Sequence, residues 1–187
     1  MMDVLEFNCA LEGHGIEVYF KPLVNIETGE VGYCKAIARW NHPEHGLLSA
    51  AQVADFAERA GKVDALNYVV ISKTLKCLKQ IQLEMPGFCI TVKVQASSLK
   101  DIYLADCITN LLSKNDIDAK TLQLEAMPQS ACKDEVLATV PKGYYCGQAI
   151  PSADPDYVIE SFMLYSAKAL MAKHIESQVH ELKPHLR

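Results

Sequence analysis

Apolar residues dominate IEVYFKPLV, and the stretch reads as a strand over residues 16–24. NIETGE follows as a turn in which Gly29 can supply a positive φ angle, and VGYCKAIARW (31–40) returns as a second strand, so the chain opens on a β-hairpin. Residues 41–46 read as a loop. Ser49 then caps a helix through AAQVADFAERA that stops at Gly61. Over 63–83 the period lengthens: Leu66, Val69, Val70, Leu75, Leu78 and Ile81 recur at helical spacing until Pro86 and Gly87 break it. FCITVKVQA (88–96) is a third strand, a helix follows over 99–113, and TLQLEAM (121–127) is a fourth strand. Strands that alternate with helices imply parallel βα units, each strand covered by the helix after it. A helix over 132–139, a short strand KGYYCG (142–147) and a long helix from Asp154 to Val179 complete the pattern, with no internal repeat.

That last helix carries an apolar stripe, Val158, Phe162, Tyr165, Ala169, Ala172, Ile175 and Val179, widened by Ile159, Met163 and Leu170. A helix of about 25 residues spans roughly 37 Å. It would overhang a small sheet, so pairing with its copy in a two-fold homodimer is the expected way to cover it.

Composition narrows the functional classes. Half of the 187 residues are hydrophobic, enough for a packed core. A formal charge of -5 gives no general attraction for nucleic acid or an anionic membrane, so neither is expected as a partner. The start, MMDVLEFNCALEGHG, lacks the charged end, apolar run and cleavage site of a secretory signal, and a cytoplasmic location is expected. Seven cysteines at irregular intervals, without a CxxC, read as reduced and mostly buried thiols. His42 and His45 in NHPEH read as loop and surface residues, as do His174 and His180 on the late helix. None forms a metal-ligand spacing, and no cofactor is expected.

The stretch YFKPLVNIETGEVGYCKAIARWNHPEHGLLSAAQVADFAERAG, residues 19–61, resembles the opening of the bacterial EAL domain, whose active members hydrolyse cyclic di-GMP. The family pattern there is roughly Tyr-x-Pro-Ile-Val-Asp, a glycine turn, Glu-Ala-Leu-x-Arg-Trp, then a His-Pro-x-x-Gly loop and a helix. CITVKVQASSL and LQLEAM are similar to its third and fourth strands, and GYYCGQAIPSADP (143–155) to its last strand and exit. The resemblance implies an α/β fold: a TIM-like barrel whose first strand runs antiparallel to the rest, with the nucleotide at the C-terminal strand ends.

The departures from that pattern are large. The family continues after Glu125 through three further βα units, whereas here Met127 passes quickly to the final strand, and a complete barrel needs about 250 residues. An incomplete barrel is therefore expected, an open sheet of about five strands with covering helices over residues 1–155, followed by a helical extension over 156–187. Active relatives hold two divalent cations that activate a water for attack on phosphorus. The Glu of the family's name motif matches Lys35 and the Asn of its third strand matches Lys93, leaving Glu125 alone from that set. A charged lysine has no lone pair to offer a hard cation. The resemblance implies a Lys35–Glu125–Lys93 cluster in place of metal, and it matches Arg39 to an arginine that contacts a nucleotide phosphate.

These readings make the chain a non-enzymatic EAL-like regulatory module that acts on a partner protein. The alternative is a cyclic di-GMP receptor that binds at Lys35, Arg39, Lys93 and Glu125 without cleaving.

Overall fold

A computed structural model of the chain describes residues 3–13, 15–25, 27–95, 98, 102–127, 144–146 and 150–151. The hairpin forms as the sequence predicts: β1 (Ile16–Asn25) pairs antiparallel with β2 (Val31–His42), and Gly29 takes a φ of 72° in the turn between them. β2 runs two residues beyond its expected end because β3 (Gly46–Leu48) folds back on it, pairing Trp40 with Leu48 and His42 with Gly46. Part of the expected loop is thus a tight hairpin.

α2 (Ala50–Arg59) begins on the Ser49 capping box with Gln52, and Gly61 takes a positive φ just past its end. α3 (Val63–Glu84) leads into β4 (Cys89–Gln95), and α4 (Ile102–Asn115) into β5 (Leu122–Met127). β4 lies parallel to β2, and β5 parallel to β4. Two short segments, β6 (Tyr144–Cys146) and β7 (Ile150–Pro151), return antiparallel to β1. Among the described residues the sheet order is therefore β5-β4-β2-β1-β6, with β1 antiparallel to its neighbours and β5 and β6 at the two ends. Residues 128–143 alone stand between β5 and β6.

Pro22 in β1 has no N–H to give a ladder. It falls between the residues that meet β7, Tyr19 and Phe20, and those that meet β6, Leu23 to Asn25.

One face of the sheet carries the core. Val18, Phe20, Cys34, Ala36, Trp40, Ile90, Val92 and Val94 are buried there against Val53 and Phe56 of α2 and Ile71, Leu75, Leu78 and Ile81 of α3. A helix that the apolar period did not reveal joins them: α1 (Val4–Glu12) is nine residues long and seats Phe7 and Ala10 in the core. Its signal is local, an Asp3–Glu6 capping box in which each side chain accepts from the other's backbone. Lys73 of α3 reaches back to donate to the Ile16 carbonyl at 2.6 Å, fastening the helix to the start of β1. Burial lowers its ammonium pKa and the Glu17 carboxylate partly restores it.

Two thiols lie in this core. Burial pushes Cys77 up to about 12, and Cys34 rises well above its ordinary value through burial and then the neighbouring Cys77. The unfolded thiol ionises first as pH rises, so the folded chain holds more protons above pH 9.0, and stability drains away until about 12. The expected slope is ~1.4 kcal/mol per pH unit for each thiol so enclosed. Cys77→Val should roughly halve it, since buried Cys34 keeps its own contribution; denaturation midpoints that fall as steeply in the variant would contradict this.

The expected helix over 132–139, the long helix from Asp154 to Val179 with its stripe, and the whole unit 156–187 lie outside the described residues. Among the described residues no helix is long and apolar enough to cross a membrane.

Candidate functional site

The second face of the sheet carries most of the polar strand residues, with Leu23 buried among them. Strand alternation puts Glu17, Tyr19 and Lys21 of β1, Lys35, Ile37 and Arg39 of β2, Thr91 and Lys93 of β4, and Gln123 and Glu125 of β5 on this side, opposite the core residues between them. The ladder sorts them into rows. Lys21 stands opposite Lys35, and Lys35 opposite Thr91. Thr91 pairs with Gln123, to which its hydroxyl donates at 3.2 Å. One step on, Tyr19 faces Ile37 across the hairpin and Lys93 faces Glu125 across β4 and β5. A further step brings Glu17 opposite Arg39.

The closest contact crosses the sheet. Lys35 Nζ donates to Glu125 Oε2 at 3.1 Å, passing over β4 to do so, and the two side chains are only 12% and 25% exposed. Lys93, the in-register neighbour of Glu125, completes the trio that the sequence matched to the family's metal site. Arg39 lies apart. Four residues along β2 from Lys35, it sits ~13 Å away by strand rise, beside Glu17 and Tyr19. Burial pushes the Tyr19 phenol up, its hydrogen bond and charge contact with Glu17 add to that, and Arg39 pulls the other way.

Sequence reasoning passed over Glu17, Tyr19 and Lys21, although any strand puts alternate residues in file. It also misplaced His42. Rather than a surface loop residue, His42 is 2% exposed, because it continues the parity of Trp40 onto the core side of β2. Its Nδ1 accepts from the backbone N–H groups of Glu44 and His45 at 3.1 and 3.3 Å, so the imidazole closes the turn into β3. Its Nε2 lies 3.5 Å from Glu6 Oε2 of α1 and makes no hydrogen bond among the described residues. The described cysteines are all free thiols, Cys34 and Cys77 buried and Cys9 exposed.

Behind the face, Asn67 and Asp64 of α3 hold Ser98, just past β4: the amide donates to the hydroxyl and the hydroxyl to the carboxylate, each at 3.2 Å. Among the described residues no three His, Cys, Asp or Glu side chains come together as a metal ion would require.

The family model described as EAL domain matches residues 5–140. An uncharacterized protein of Sinorhizobium fredii, y4lL, is 31% identical over 116 residues, which is 62% of this chain and 14% of that protein. The cyclic di-GMP phosphodiesterase NbdA of Pseudomonas aeruginosa is 28% identical over 73% of this chain and 17% of its own length. The cyclic di-GMP phosphodiesterase PdeL of Escherichia coli is 28% identical over 62% of this chain and 32% of its own length. The chain thus spans a third or less of the length of these relatives. Among solved structures, the PaMucR phosphodiesterase in complex with c-di-GMP superposes with a TM-score of 0.60 at 23% identity, over 65% of this chain and 49% of that one. The FimX EAL domain of Pseudomonas aeruginosa bound to c-di-GMP gives 0.57 at 18% identity, over 66% and 49%. These likenesses establish the fold, part of a TIM-like barrel.

Proposed function

The chain belongs to the EAL domain family, and from that membership we propose that it is a non-catalytic module of cyclic di-GMP signalling that works by engaging a partner protein. The observation that carries this reading is the Lys35–Glu125 ion pair at 3.1 Å. Hydrolysis by a two-metal route needs several oxygen donors converging on each cation. Here the carboxylate matched to that role already has an ammonium against it, and a second lysine, Lys93, is its in-register neighbour. Ammonium groups repel a cation and cannot ligate it. The donor set among the described residues therefore does not fit a two-metal centre.

An ion pair in that place does what the metal charge would otherwise do for Glu125: it keeps a half-buried carboxylate from standing alone. The scaffold is preserved while the chemistry is given up. In this reading the C-terminal extension, residues 156–187, supplies the homodimer contact, on the strength of its sequence pattern.

A second reading, cyclic di-GMP binding without cleavage, draws on Arg39. It reaches the polar face from the C-terminal half of β2, with a guanidinium suited to a phosphate. Two solved relatives of the same fold are described as c-di-GMP complexes.

The pure chain is expected to linearise no cyclic di-GMP in Mg²⁺ or Mn²⁺. Product formation that disappears in Glu125→Ala would overturn the non-catalytic reading.

A further inference from the structure

The turn between β2 and β3 is closed by a side chain that can take up a proton. His42 ends β2 and is 2% exposed, with the rings of Trp40 and His45 at 4.8 and 4.6 Å. Its Nδ1 accepts from two backbone N–H groups at once, those of Glu44 and His45. A ring nitrogen that accepts is unprotonated, so the closed turn holds the neutral imidazole with its hydrogen on Nε2. A second proton has to enter at Nδ1, where two donors already point. The imidazolium donates from both nitrogens and accepts at neither, so it cannot make these bonds.

The surroundings do not remove the conflict. Among the described residues, the titratable groups set against the ring are Glu6 of α1, 3.5 Å from Nε2, and Glu44 and His45 of the turn itself. Glu6 attracts an imidazolium, but it stands on the Nε2 side and leaves the clash at Nδ1 in place. α2 meets the same aromatic cluster through Phe56, with Arg59 5.7 Å over that ring, and β3 brings only Gly46, Leu47 and Leu48.

We propose that His42 is a proton-operated latch: protonation releases residues 42–46 and frees β3 from the end of β2. Once the turn is open, the imidazole takes a proton at the ordinary histidine value of ~6.5, a form that the closed turn cannot hold. The closed turn therefore loses ground to the open one as pH falls below that value, by up to about tenfold per unit. The latch acts on the C-terminal end of β2. Trp40, Asn41 and His42 pair with β3, and Arg39 is the next residue back on the strand. Mild acid thus loosens the strand end from which Arg39 reaches the polar face.

The chain's single tryptophan lies beside the latch, so the emission of Trp40 reads the opening. On going from about one pH unit above to about 1.5 below the ordinary histidine value, emission of the full chain should shift to the red and become accessible to iodide. His42→Asn puts an amide oxygen near the place of Nδ1, an acceptor that does not titrate, and should abolish the shift. His45→Gln, which removes the exposed imidazole of the same turn, should keep it. Amide exchange in the unmutated chain gives a second measurement. Corrected for its intrinsic pH dependence, exchange at Glu44 and His45 should quicken tenfold or more over that range, while Val18 and Ile90 stay protected. A red shift that persists in His42→Asn or disappears in His45→Gln overturns the proposal. So does a nitrogen-15 spectrum in which His42 is an imidazolium while the Glu44 and His45 amides remain protected. If His42→Asn does not fold, exchange in the unmutated chain decides alone, and unchanged rates at Glu44 and His45 count against the latch.

Discussion

Replacement of Trp40 by alanine is expected to cost about 3–5 kcal/mol of stability, a large share of what a domain of this size possesses. Trp40 is 1% exposed and stands where three separate pieces of chain meet. Its ring lies 5.0 Å from Phe7 of α1, 5.5 Å from Phe56 of α2 and 4.8 Å from His42 at the turn into β3. Phe7 and Phe56 also touch each other at 5.1 Å, so the indole closes a triangle of aromatic contacts. A buried ring of this kind removes on the order of 200 Å² from water, worth about 5 kcal/mol at ~25 cal/mol per Å². The substitution also leaves a hole that backbone on three sides cannot collapse to fill. Trp40→Phe should recover more than half of the loss by keeping an aromatic partner for Phe7. Urea denaturation gives the number directly, and a loss below about 1 kcal/mol would mean that the three elements pack without this hub.

The second large effect concerns the ion pair, and its two halves should differ. Glu125→Leu removes the carboxylate that Lys35 contacts and Lys93 faces, leaving those ammoniums on a surface that already holds Lys21. Lys35→Met leaves Glu125 with Lys93 still beside it. Both partners are mostly buried, so a cost of about 1–3 kcal/mol is expected for Glu125→Leu, and less for Lys35→Met. The double variant should be more stable than the sum of the two losses by about 1 kcal/mol or more, because it leaves neither half without its counter-charge. Strict additivity would show that the 3.1 Å contact contributes nothing to stability.

How far the sequence led can be judged from particular residues. The hairpin was legible because two strand-like stretches and the Gly29 turn between them are local signals that tertiary packing did not override. The start of α2 was legible for the same reason, through Ser49 and Gln52. α1 was missed because nine residues give too little period to read, although Asp3 and Glu6 were there to mark its start. β3 was missed because three residues cannot declare an alternation, and with it went the burial of His42, which proline and charge in NHPEH disguised as loop. The meeting of Lys35 and Glu125 lies beyond any local pattern. It depends on β4 lying between β2 and β5, an order that only the family resemblance supplied. Lys21 and Glu17 match no position of the family's acidic set, and only the pairing of β1 with β2 puts them beside Lys35 and Arg39.

The order of the sheet also has a consequence for how the chain assembles in time. β1 finds β2 across a turn of a few residues, but it meets β6 and β7 only after the chain has passed through every other described element. Closing a short loop loses less entropy than closing a long one, so the hairpin is expected to form early and the outer edge of β1 to be filled last. Until then that edge lies open as a row of unpaired amides and carbonyls, broken only where Pro22 withholds its donor. The missing donor interrupts the template that another unfolded chain could extend during those moments. Pro22 is thereby a guard against intermolecular strand pairing while the protein is still being completed.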